Sequence, residues 1–147
     1  MQSSMVLIML LLGGVGLGIR QRVLWQADLQ VRNLRVSQEN GNLRAEVTIA
    51  AEVGEALDAR VEVMLPVGVG IVTVGPGCSA GPSATGISAL RARVECNLGN
   101  LPARTSRELF VITTTPPLGV SRGFGVIAVS DTPDPKPGNN FAERALP

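Results

Sequence analysis

The stretch "ENGNLRAEVTIAAEV", residues 39–53, decides the fold. After the turn, apolar residues fall on every second position: Leu43, Ala45, Val47, Ile49, Ala51 and Val53 share one parity, while Arg44, Glu46, Thr48 and Glu52 take the other. Side chains of an extended strand point alternately to opposite faces, so this is a strand with one dry face and one wet face. Asn40-Gly41 just before it is the strongest short hairpin signal, because both central residues of a type I′ turn need positive φ. An antiparallel partner is therefore expected upstream, over residues 29–36.

The same alternation recurs along the chain. Ala59, Val61, Val63 and Leu65 alternate with Arg60, Glu62 and Met64; Leu90, Ala92, Val94, Cys96 and Leu98 alternate with Arg91, Arg93, Glu95 and Asn97. Residues 71–74, 109–114 and 124–129 are further strands, and the last two are apolar on both parities, as central strands are. "VGVG" (67–70), "ATG" (84–86) and "TPPLG" (115–119) are turn punctuation. The connections are too short for the crossover helices that parallel strands require. About seven short strands without helical period read as an antiparallel β-sandwich, all-β in class, with one module and no internal repeat. The proline-rich "SDTPDPKPGNN" (130–140) then connects the strand at 124–129 to a short edge strand in "FAERAL" (141–146), since proline fits an edge turn where no ladder donor is needed.

The N-terminus differs in kind. Residues 5–19, "MVLIMLLLGGVGLGI", form an uncharged run followed by Arg20 and Arg22. That is shorter than the roughly 20 apolar residues of a membrane-spanning helix and matches the apolar centre of a secretory signal. Residues 1–26 are therefore expected to be a signal peptide or a retained membrane anchor, with the domain over 27–147. Were the segment retained, Trp25 beside Arg22 would sit at headgroup depth.

Composition excludes several functions. The 147 residues hold no histidine and no tyrosine, so Ser-His-Asp and Cys-His catalysis are absent and the common zinc sites lose a principal ligand. Thirteen basic against twelve acidic residues, interspersed in sign, give +1 and no electrostatic case for nucleic acid. The one lysine, Lys136, lies in a proline-rich turn that would not desolvate it for catalysis. A non-enzyme is the expectation. Cys78 and Cys96, two cysteines in an exported domain, are expected to pair, closing a loop worth roughly 3 kcal/mol; the alternative is two buried free thiols. Calcium is the one cofactor with candidate ligands: Asp131, Asp134, Asn139 and Asn140 offer hard oxygens, but the calcium-loop spacing of acidic residues is missing. The loop reads first as a structural turn with no cofactor. Arg91, Arg93 and Glu95 read as a solvated strand face.

Several motifs stand in one order: "ADLQV" from Ala27, "VEVMLPVGVGIVTV" after a strand, "CNLGNL" from Cys96, and the closing "SDTPDPKPGNN". Together they resemble the family catalogued as domain of unknown function eleven, over about residues 27–145. The resemblance implies an immunoglobulin-like sandwich in exported bacterial or archaeal surface proteins, often in stalks, adhesins or surface layers, with no catalytic residues. It also implies a bond between the cysteines that map onto Cys78 and Cys96. The chain has Glu52-Val53-Gly54-Glu55 where the family has Asn-Asn-Gly-Pro. The function expected is a structural or adhesive module at the cell surface, in the periplasm or outside the cell, working through protein partners or self-assembly, with membrane contact only through an uncleaved N-terminus. The alternative is an extracellular carbohydrate- or ligand-binding domain, against which the scarcity of aromatics counts.

Overall fold

The computed structural model describes residues 26–81, 92–119 and 123–147. Within them the chain forms nine strands: β1 (Leu29–Glu39), β2 (Asn42–Ala51), β3 (Ala56–Met64), β4 (Ile71–Val74), β5 (Cys78–Ala80), β6 (Arg93–Leu101), β7 (Thr105–Thr113), β8 (Phe124–Val129) and β9 (Phe141–Arg144). All pairings are antiparallel, in a four-stranded sheet ordered β1-β2-β7-β4 and a five-stranded sheet ordered β5-β6-β3-β8-β9. This is a β-sandwich; β9 is the short edge strand expected in 141–146, and β5 is the one strand of the nine that was not expected. The apolar segment 5–19, Trp25, Leu90, Arg91 and the turn at 84–86 lie outside the described residues.

The hairpin that opens the sandwich follows from its turn. Glu39 pairs with Asn42, and Asn40 and Gly41 between them have φ of 50° and 79°. Leu43, Ala45, Val47, Ile49 and Ala51 are buried as their parity demands. Val53 is not: it is 62% exposed, because the strand ends at Ala51 and the chain turns at Gly54. Gly54 has φ +71°, and the carbonyl oxygen of Gln26 fills the space a β-carbon would need. The turn thus depends on glycine.

Dry faces of the two sheets meet across the core. Ala59, Val61, Val63 and Leu65 of the β3 region share one buried core cluster with Val47, Leu109 and Val111, and the fully buried Phe124 is the core's largest side chain. On β6, Val94 and Cys96 are buried but Ala92 lies exposed ahead of the strand. Pairing slips where Ala59 meets Gly99 and Arg60 meets Asn97, and this bulge resets the parity so that Leu101 is buried. β7 and β8 are central strands, as their two-sided apolarity requires, although β7 begins four residues earlier than its apolar run, at Thr105.

Candidate functional site

The proline-rich loop is sewn to both sheets. Thr132 is buried; its hydroxyl donates to the Glu55 carbonyl at 2.9 Å and accepts from the Leu57 N–H at 3.0 Å. The Asp131 N–H donates to the Leu57 carbonyl, and the Ala27 N–H donates to the Pro133 carbonyl. Asp134 accepts from the Leu29 N–H at 2.9 Å and from the Lys136 N–H at 2.7 Å. Proline suits these positions, since a residue that is only an acceptor leaves no donor unmet. The stretch is the β8–β9 connection, and it ties β3 of one sheet to β1 of the other.

At the centre of this tie is Asp28, which is 3% exposed. Its carboxylate accepts from Asn139 Nδ2 at 2.7 Å and Gln30 Nε2 at 3.1 Å, and Lys136 Nζ lies 3.4 Å away. Desolvation pushes the carboxyl up, but the hydrogen bonds from Asn139, Gln30 and Lys136 and the ammonium charge outweigh it and hold it below the usual carboxylate range. The four candidate calcium ligands are divided. Asp134 and Asn139 converge on the start of β1, whereas Asp131 faces Arg60 Nη2 at 2.7 Å. The Oδ1 atoms of Asn139 and Asn140 are shielded without a hydrogen-bond partner. Among the described residues, no group of three or more Asp, Glu, Cys or His is placed to hold a metal ion. Cys78 and Cys96 are bonded, at directly paired positions of β5 and β6.

The outer face of the five-stranded sheet is a candidate for binding. Register aligns Ser79, Glu95, Glu62, Ile127 and Phe141 in one row across all five strands. A second row holds Asn97, Arg60 and Val129. A shallow groove of about 440 Å³ runs between Arg60, Glu62, Glu95 and Asn97 and ends on Ile127 and Val129. Ile127, Val129 and Phe141 are exposed by 36%, 47% and 45%, so β8 and β9 present an apolar strip beside a charged groove. Arg93 is not simply solvated: it donates to Glu62 at 3.2 Å, both groups half-buried, while Glu95 is exposed. Sequence reasoning missed Asp28, whose partner Asn139 is 111 residues away. It also missed the strip, whose signal is the apolar residues on both parities of β8 opposite Phe141.

No family model matches the chain, and no curated protein matches it. Among solved structures, the chain is similar to the chitin-binding domain of Chi18aC from Streptomyces coelicolor, with a TM-score of 0.48 and 11% identity over 74% of this chain and 96% of that one. It is also similar to the human F-spondin reeler domain, with a TM-score of 0.40 and 13% identity over 83% of this chain and 91% of that one.

Proposed function

We propose that this chain is an exported, non-enzymatic, immunoglobulin-like module that acts through protein contacts at the cell surface or in the envelope. The observation that carries the reading is the apolar strip of Ile127, Val129 and Phe141 on the β8–β9 border of the sheet. An edge strand offers backbone donors and acceptors on its free side, and apolar side chains beside that edge give a partner surface to bury. Export is supported by the disulfide, which persists in oxidising compartments. The immunoglobulin-like reading is supported by strand order. β1-β2-β7-β4 corresponds to the A-B-E-D sheet and β9-β8-β3 to G-F-C, with β6 and β5 where C′ and C″ lie. In chain order, however, β4 comes before β5 and β6. The motif resemblance to domain of unknown function eleven points the same way.

The test is photo-crosslinking in the intact envelope, with a photoreactive phenylalanine analogue in place of Phe141. Protein adducts, to another copy of the chain or to a second protein, are expected at position 141. They should be lost when Ile127 and Val129 are both changed to Thr. A position 141 that yields no protein adduct would remove the reading.

A further inference from the structure

The exterior of the other sheet carries a concavity of a different character, and we propose that it is a binding site for a neutral saccharide. It lies over β1, β2 and β7, encloses about 220 Å³, and is lined by Asn33, Arg35, Arg44, Glu46, Glu108 and Phe110 among others. The backbone builds it. Asn33 has φ 53° and sits where the β1–β2 register slips between Arg32 and Arg35. A bulge of this kind bends its strand and re-aims the side chains that follow, and bulges recur beside binding and active sites. Asparagine is among the non-glycine residues that adopt this conformation most readily.

The groups inside are prearranged in two ways. The Arg44 guanidinium lies 4.5 Å from the centroid of the Phe110 ring, donates through Nε to Glu46 at 2.6 Å and faces Glu39 at 3.5 Å. It is fixed before any ligand arrives, so little side-chain freedom is lost on binding. Arg35 and Glu108, by contrast, are exposed and enter no ion pair among the described residues. They are the polar groups available to a ligand.

Charge selects the ligand class. Arg35 and Arg44 are offset by Glu46 and Glu108, so the lining is neutral overall while offering donors and acceptors side by side. A ligand of either sign would meet two like charges as well as two opposite ones. A sugar hydroxyl both donates and accepts, so adjacent hydroxyls of a neutral sugar satisfy guanidinium and carboxylate groups together. Phe110, with Arg44 stacked on its ring, is the aromatic contact offered to the sugar's C–H face, whereas Val47 and Leu109 only border the site, their side chains lying in the core.

The experiment is an amide-resolved NMR titration of the full chain with neutral trisaccharides (cellotriose, mannotriose and laminaritriose) and with a trigalacturonate as the anionic control. Expected are shifts confined to residues 33–35, 44–48 and 108–110 with at least one neutral trisaccharide. Arg35→Ala and Glu108→Ala, which break no ion pair, should each weaken binding roughly tenfold with the unfolding midpoint unchanged. The proposal is overturned by no shifts with any neutral sugar, by shifts with trigalacturonate alone, by shifts that map to β8 and β9, or by unchanged affinity in both variants.

Discussion

Two ties brace this sandwich, and they differ in kind. The Cys78–Cys96 disulfide joins β5 to β6, neighbours within one sheet. The polar cluster around Asp28 and Thr132 joins the β8–β9 connection to β1 and to the entry of β3, and so spans both sheets. β5 makes only three register pairs, and the disulfide adds a covalent link to that short ladder. The loop, by contrast, needs no covalent bond, because its side chains answer backbone groups that the strand ends leave open. One tie is covalent and local to a sheet edge, whereas the other is a set of hydrogen bonds that reaches both sheets.

The largest expected effect tests the covalent half. Replacing both Cys78 and Cys96 by Ala should lower stability by about 3 kcal/mol, read as a shift in the denaturant midpoint. Hydrogen exchange should show the β5 amides losing protection before those of β2 and β7. A loss under about 1 kcal/mol would mean that the β5 ladder stands without the bond.

Breaking the polar half should cost somewhat less. Asp28→Ala leaves Asn139 Nδ2 and Gln30 Nε2 without their acceptor in a shielded site, a loss of about 2 kcal/mol in the same melt. The pH dependence follows from the lowered carboxyl. Its stabilisation is fully present above the unfolded pKa of about 3.9, falls away as pH drops through the lower folded value, and is gone below both. The wild type should therefore lose more stability than Asp28→Asn between neutral pH and about pH 3. Equal slopes would show that the ammonium and amide partners do not favour the charged form.

Thr132→Val is the next step down. The exchange keeps the volume but strands the Leu57 N–H and the Glu55 carbonyl, and about 1 kcal/mol is expected. An unchanged midpoint would place the seam's strength in the main-chain bonds of Asp131 and Ala27 instead.

The sequence showed one of these halves more clearly than the other. Strands with a dry and a wet face, such as residues 43–51 and 59–65, are legible because burial imposes parity on every second residue. β5 was hidden because three residues carry no period, and the start of β7 because Thr105, Ser106, Arg107 and Glu108 are all exposed. Ala92 and Val53 show the limit of parity: it runs on in the letters beyond either end of a strand. The closing role of residues 130–140 was legible from proline and order. Its hub was not, because a buried aspartate looks like any other until partners more than 100 residues away are known.

The smallest expected effect is none at all, and it separates a self-sufficient loop from a metal-held one. Calcium takes six to eight oxygen ligands, which have to converge with free lone pairs. Here the Asp28 carboxylate already accepts from Asn139 and Gln30 and has the Lys136 ammonium beside it, Asp134 caps two backbone N–H groups, and Asp131 is turned to Arg60. An incoming cation would have to displace the ammonium and break these bonds, while the Asn139 and Asn140 Oδ1 atoms are the buried side-chain oxygens left without a partner among the described residues. Dialysis against chelator and then against millimolar calcium should therefore leave the melting midpoint where it was. A rise with calcium would mean that the loop rearranges around the ion, and the tie would then depend on metal instead of on Asp28.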